Sequence, residues 1–382
     1  MSTIEQNNIP LGQTAFRQAE KIYKARGAKL PDLLTSVIDF YEIASLLHAE
    51  DAAVRQVWLT HDLVTPVGLP FCAFKERRSP AAYVLKSHPD LIVIPDMLTT
   101  EAQRWLARKC LCDCTRPPNR TNLDPFFNLP AESLFTIASE QLNSSNNGDG
   151  TSDSLQPHSS LIQSRAQLGC IDPSVTVPKE KLYTQPASAA NLLDRLRWCT
   201  LGMQYNWTTK EYDLGTSTFD AEIDSLMRSI AVAITQPDNN GDNRPITNNY
   251  NGRDFVSQAG IVNFYDEWST MAGHVDKTEE IMNAPLISLS IGLSCIYLIG
   301  GKTRDTEPTA LLLRSGDVLA MCGESRLAFH GVPRVLPESS PKHLINPTAG
   351  DSDVAAANYP KWHHFAHYLA THRINCNARK CT

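Results

Sequence analysis

The chain has 382 residues, 42% hydrophobic and 20% charged, enough to bury a substantial core in one large or two moderate domains. A formal net charge of -6 excludes attraction of polyanions by the overall field, so any nucleic acid has to be met by a local basic patch. No apolar run is long enough for a membrane span. Ten irregularly spaced cysteines, with no leader pattern in MSTIEQNN, point to reduced intracellular thiols rather than a disulfide framework.

Near the start, AFRQAEKIYKARG (15 to 27) has the pattern of an amphipathic basic helix. A mitochondrial address is one reading of it, although Glu5 and Glu20 are out of place in a transit peptide. LIVIPDML (91 to 98) begins as a strand. TEAQ (100 to 103) then reads as a capping box opening a helix that buries Ala102, Trp105, Leu106 and Cys110. The spacing of CLCDC (110 to 114) suits a cluster of thiols at a helix end better than a metal knuckle. From about residue 139 the composition changes: QLNSSNNGDGTSDSLQPHSS (141 to 160) has almost nothing to bury, and 139 to 188 is expected to be a disordered insertion. Further on, Ile223, Leu226, Met227, Ile230 and Ile234 share one face of a packing helix, followed by polar inserts at 236 to 254 and 338 to 360. From Val262 onward the pattern is β. LISLSIG and CIYLIGG (286 to 301) are paired apolar runs, and ALLLRSGDVLAMCG (310 to 323) is strand, Ser-Gly-Asp turn and strand. Glycine-bearing turns at regular intervals predict a sandwich or jelly roll.

The residues with chemistry gather in this second half. GHVDKTEE (273 to 280) holds His274 and Asp276, a weak signal alone, and His330 follows a predicted strand that a barrel would return beside them. Two imidazoles and one carboxylate on one face of a metal leave positions free for further ligands, the arrangement of non-haem Fe(II) oxygenases. HRINCNARK places Arg373 and Arg379 six residues apart, on one side of a strand, and two buried guanidiniums call for a dicarboxylate. Asn263 and Tyr265 share a face by the same period of two. The histidines of WHHFAHYLATH (His363, His364, His367, His372) are expected to be mostly exposed on a helix packed through Trp362, Phe365 and Leu369. Lys277 reads as solvated and Arg326 as a brace of the barrel.

HVD, FHG, NFY and RINCNAR together resemble the AlkB family of Fe(II)- and 2-oxoglutarate-dependent dioxygenases, and SGDVLAMCGESRLAFHGVPRVLP is similar to that family's run into its last metal ligand. FRQAEKIYKARG, YVLKSHPDLIVIP and LRWCTLGMQYNW look like its animal homologue-one branch. The resemblance implies an α+β chain with a mainly β core: a double-stranded β-helix (jelly roll) over 189–382, an N-terminal helical or mixed extension over 1–138, and long polar insertions. It implies iron on His274, Asp276 and His330, and 2-oxoglutarate on Asn263, Phe264, Tyr265, Arg373, Asn375 and Arg379, with O2 as second substrate. MQYNWTTKEY falls where the family builds its nucleotide-recognition lid, so Met203, Gln204, Tyr205, Asn206 and Trp207, with Arg304, would face nucleic acid; core-capping aromatics are the alternative. The bacterial enzyme's base-reading aspartate is replaced here by Thr278, with Glu279 beside it.

The activity implied is oxidative demethylation of N-methylated bases, N6-methyladenine in DNA or N1-methyladenine in transfer RNA, releasing formaldehyde, succinate and CO2. The expected setting is the nucleus or mitochondrion, with the cytoplasm also open, and a monomer with no membrane partner. The alternatives are a histone or other protein demethylase on the same iron site, an abasic-site DNA lyase acting through a lysine, and a non-catalytic scaffold.

Overall fold

The structure, a computed structural model, describes residues 13–27, 29–43, 53–59, 63–76, 81–146, 161–170, 183–206, 211–213, 218–235, 250–346 and 362–382. Eight consecutive strands build the double-stranded β-helix. β8 (Ala259–Asp266), β10 (Leu286–Gly292), β13 (Val318–Met321) and β15 (His372–Arg379) lie in the larger sheet. β9 (Met271–His274), β11 (Cys295–Ile299), β12 (Thr309–Leu313) and β14 (His330–Val335) lie in the smaller one. The larger sheet is extended on the β13 side by β4 (Leu91–Ile94), β3 (Ala81–Leu85) and β2 (Val54–Trp58), and on the β8 side by β5 (Trp198–Gly202). In the smaller sheet β1 (Ile38–Asp39) joins β12 in parallel. The N-terminal segment therefore supplies strands to both sheets. The Ser-Gly-Asp turn between β12 and β13 forms as expected, with Gly316 at φ +88°, a conformation that favours glycine.

Period-two alternation decides what each strand shows to each side. On β15, Ile374, Cys376 and Ala378 join the core under the helices, while Arg373, Asn375, Asn377 and Arg379 face the space between the sheets. On β10, Ile287, Leu289 and Ile291 face the helices, and Ser288 turns into the inter-sheet cavity. Three apolar cores result: between the larger sheet and its helices, between the two sheets, and outside the smaller sheet beneath helices α1 (Ala15–Lys24) and α2 (Leu30–Leu34).

Helix α3 (Thr100–Arg108) buries Ala102, Trp105 and Leu106 as expected and continues into a π-helical turn, Lys109–Asp113, with Cys110 and Cys114 buried and Cys112 partly so. Its cap lies one residue earlier than the TEAQ pattern suggests. Thr99 is the cap: its hydroxyl accepts from Ala102 N at 3.1 Å and donates to Cys72 O at 2.6 Å. Gln103 is left outside any capping box and instead donates to Leu98 O and accepts from Ser315. Helix α4 (Leu134–Asn146) runs into the region expected to be disordered, and Ser164 and Ile162 bridge to Phe127 and Ala187, so the insertion is anchored at both of those points. The remainder of that expectation, at 147–160 and 171–182, and most of the other two polar inserts, at 236–249 and 347–361, lie outside the described residues. Helices α5 (Ala189–Leu193), α6 (Ala221–Ile234), α7 (Lys342–Ile345) and α8 (Trp362–Thr371) complete the helical layer. On α6 the five expected side chains are all fully buried, each contributing roughly 1.5–3 kcal/mol of apolar burial. Along α8, Trp362, Phe365 and Leu369 are buried, and His363 and His367 are exposed.

The cap assignment makes a direct prediction. Thr99→Ala should lower unfolding free energy by about 1 kcal/mol or somewhat more, and Thr100→Ala by less than about 0.5 kcal/mol. Urea denaturation of both variants checks it, and the reverse ranking contradicts it.

Candidate metal and co-substrate site

Strands β14 and β9 are antiparallel neighbours, and His330 stands directly opposite His274 in their register. The two rings lie 4.4 Å apart. Asp276, just past the end of β9, completes the set: its Oδ1 is 3.8 Å from His274 Nε2 and its Oδ2 is 4.0 Å from His330 Nε2. One donor atom from each of the three residues falls within 4.8 Å of the others, and this is the only such group among the described residues. Each imidazole is aimed by its other nitrogen. His274 Nδ1 meets Ala272 O at 2.9 Å and His330 Nδ1 meets Ala328 O at 3.2 Å. A carbonyl can only accept, so Nδ1 carries the proton and the Nε2 lone pair is free for a metal.

Burial, reinforced by His274, pushes the His330 imidazole down to about 4, so it stays neutral and able to ligate at physiological pH. Burial alone would raise the Asp276 carboxyl, but Arg379 and the two imidazoles together hold it well below the usual carboxylate range. Arg379 Nη1 contacts Asp276 Oδ2 at 3.1 Å and Glu279 Oε1 at 2.9 Å, and Arg326 Nη2 lies 3.3 Å from Glu279 Oε2. Two acids and two guanidiniums thus form a cluster behind the metal-ligand set, with Glu279, Arg326 and Arg379 buried and Asp276 half-buried. Arg326 braces the barrel as expected. Arg379 is already compensated by Asp276 and Glu279, so the expectation that both buried guanidiniums call for a dicarboxylate is left to Arg373. The signal missed was Glu279, whose side chain is fully buried and does not line the cavity.

Arg373 differs. It is 2% exposed, donates from Nη1 to Leu293 O at 3.1 Å and from Nη2 to Ser290 Oγ at 2.7 Å, and its Nε has no partner among the described residues. Among the described residues no carboxylate pairs with it. A cavity of about 380 Å³ connects it to the three metal-ligand candidates, lined also by Asn263, Tyr265, Asn375, Ser288 and Tyr297. Such a cavity, with donors for a metal at one end and a buried cation at the other, suits a small dicarboxylate that reaches from one to the other. Tyr297 stacks near His330, and Ser288 and Ser290 support Asn375 and Arg373. The sequence reading missed these three. Two serines breaking the apolar run of LISLSIG at a spacing of two were the available signal.

Other expected site residues fall elsewhere. Phe264 points to the opposite face of β8 and is buried in the helix-side core, since alternation separates it from Asn263 and Tyr265. Gln204 is buried and bonds back to Gly202 O at 2.8 Å rather than facing the cavity, and Met203 does not line it either. In the segment expected to form the lid, Gln204–Asn206 forms β6, paired with β7 (Glu211–Asp213). The side chains of Tyr205 and Asn206, and all of Trp207, lie outside the described residues. This hairpin meets the site through Tyr212, whose hydroxyl donates to Glu279 Oε1 at 3.2 Å. Trp198, at the start of β5, lines the cavity and was not anticipated. Arg304 is exposed and donates to Gly273 O at 2.7 Å, next to His274.

A jelly roll that sets two histidines and an aspartate around one point, with a buried arginine across the cavity, defines a non-haem iron oxygenase using an acidic co-substrate. Residues 163–379 match the 2OG-Fe(II) oxygenase superfamily, and the chain belongs to it. It is 31% identical over 351 residues to the tRNA demethylase abh1 of Schizosaccharomyces pombe, covering 90% of each chain. It is 30% identical over 398 residues to the DNA N(6)-methyladenine demethylase ALKBH1A of Arabidopsis thaliana, covering 96% of each. Against the nucleic acid dioxygenase ALKBH1 of Mus musculus the figure is 31% over 381 residues, 96% of this chain and 84% of the other. The protein is thus a dioxygenase that uses Fe(II), 2-oxoglutarate and O2.

The buried imidazole can be tested without metal. In the metal-free protein the ring signals of His330 should titrate near pH 4 by NMR, because burial disfavours the cation. A midpoint at the ordinary histidine value of about 6.5 contradicts the environment described.

Proposed function

We propose that the enzyme removes methyl groups oxidatively from N-methylated bases in nucleic acid, with N6-methyladenine in DNA and N1-methyladenine in tRNA as the leading substrates. The observation that carries the proposal is the conjunction of the site with the relatives: His274, Asp276 and His330 converge opposite Arg373 in a chain whose relatives are demethylases of tRNA and of DNA. We assign the metal to the first three residues and the far carboxylate of 2-oxoglutarate to Arg373, with Asn263, Tyr265 and Asn375 alongside.

When bound, Fe(II) with O2 and 2-oxoglutarate supplies the oxidising chemistry, giving succinate and CO2 and leaving the methyl carbon as formaldehyde. The chain's own residues orient and enclose. His274 and His330 present their Nε2 atoms to the metal, and Asp276 is kept ionised by Arg379. Arg373, itself buried, anchors the co-substrate by a charge-assisted contact. Glu279, where the bacterial enzyme's base-reading acid is nearly aligned, is engaged with Arg326 and Arg379, so base selection falls to the lid and to Trp198. The lyase alternative loses support, because no lysine among the described residues lines the cavity. A nucleic acid substrate accords with action in the nucleus or mitochondrion.

Two measurements test the reading. Incubation with matched methylated and unmethylated DNA and tRNA oligonucleotides should release formaldehyde and remove the mark from at least one methylated strand, and turnover on none of them contradicts the substrate class. Arg373→Leu should raise the KM for 2-oxoglutarate roughly 30-fold or more, the scale for truncating one member of a buried charge pair, while leaving oligonucleotide affinity unchanged. An unchanged KM contradicts the anchor.

A further inference from the structure

β9, which ends at His274, is the outermost strand of the smaller sheet, so among the described residues one side of its backbone has no neighbouring strand. Exposed peptide groups on such an edge need other partners. At Gly273 both groups have one. Its N–H donates to Glu20 Oε1 on α1, and its carbonyl accepts from Arg304 Nη2 at 2.7 Å. The connection closes on itself: Phe16 N donates to the Arg304 carbonyl at 2.9 Å, and Arg17 donates to the other Glu20 oxygen at 2.8 Å. Glu20 is only 6% exposed although it lies in a basic helix. Three segments distant in sequence therefore meet around the peptide that precedes a metal-ligand candidate.

Packing repeats the pattern. A Cβ on Gly273 would lie 2.3 Å from Phe16 Cε1, and one on Gly300 would lie 2.8 Å from Phe16 Cδ2, so the Phe16 ring occupies a slot that two glycines leave open. The β9–β14 register also shifts here. His330 pairs with His274 and Val332 with Met271, so β9 carries one residue more than its partner. A bulge of this kind re-aims the following side chain and loosens the ladder that would otherwise hold it. Beyond the Ala272 carbonyl and the pairing with His330, support for this stretch of β9 comes from the open edge.

We propose that Glu20 and Phe16 are positioning residues for His274, with α1 standing where the next strand would be and fixing the direction of the imidazole. The proposal rests on the reading of His274 as a metal ligand. It also makes the N-terminal helix part of the metal site rather than a detachable address segment.

The experiment is titration of the full-length, metal-free protein with Co(II), followed by its visible absorption. Wild type, His274→Ala, Glu20→Ala, Glu20→Gln and Ile22→Ala are compared, the last altering an exposed position of the same helix. Glu20→Ala should weaken Co(II) binding roughly tenfold, the scale for losing a residue that orients a ligand. Glu20→Gln, which keeps an acceptor oxygen, should recover most of the loss, and Ile22→Ala should match wild type. Hydrogen exchange on the unmutated protein gives a second reading that survives misfolding of a variant: the Gly273 amide should exchange as slowly as an interior strand. Wild-type Co(II) affinity in Glu20→Ala, or loop-like exchange at Gly273, overturns the proposal. If wild type binds no Co(II), or His274→Ala binds it equally well, the ligand assignment beneath the proposal is what fails.

Discussion

Charge buried inside the barrel has to be compensated, and the rest of the site follows from how that is done. An ionised carboxylate away from water is costly unless opposite charge and hydrogen bonds meet it. Asp276 has Arg379 at 3.1 Å, Glu279 shares that arginine, and Arg326 closes the group, so two acids and two bases balance within a few ångströms. Arg373 stands outside this balance at the far end of the cavity. A divalent cation among the three donors and a dicarboxylate running from it to Arg373 are the charges this arrangement accommodates.

The sheets deliver these groups by alternation. β15 turns every second residue into the cavity, and each is polar or charged, while the residues between them join the helix-side core. β10 answers with serines at the positions facing Arg373 and Asn375. A slip of one residue in either strand would bury arginine among aliphatic side chains and expose the core, so the helix-side packing and the site enforce the same register. The β6–β7 hairpin is joined to this frame through Tyr212 and Glu279, which connects it to the cluster that holds Asp276.

Much of this was legible in the sequence because it depends on local periodicity. The face shared by Arg373 and Arg379 and the face shared by Asn263 and Tyr265 follow from strand geometry once the strands are placed, whereas the metal-ligand set, which joins residues 56 apart, was legible through the family resemblance of HVD and FHG. Phe264 illustrates the same rule from the other side, since a motif read as a block takes in a residue that alternation sends to the core. Thr99 was missed because Thr100 offered an equally plausible cap, and only the backbone decides between adjacent threonines. Glu279 was hidden for a different reason. Its partners Arg326 and Arg379 lie 47 and 100 residues away, and no local pattern announces a contact of that span. The clamp on Gly273 is equally non-local, joining residues 16 to 20 with 273 and 304.

The most direct test of the account is an anaerobic crystal structure with Mn(II) and 2-oxoglutarate bound, the metal located by its anomalous scattering. The account predicts one strong peak bonded to His274 Nε2, His330 Nε2 and an oxygen of Asp276, with the acid chelating the metal at one end and its other carboxylate on the Arg373 guanidinium. A metal bound elsewhere, or an acid whose far end lies away from Arg373, would contradict it.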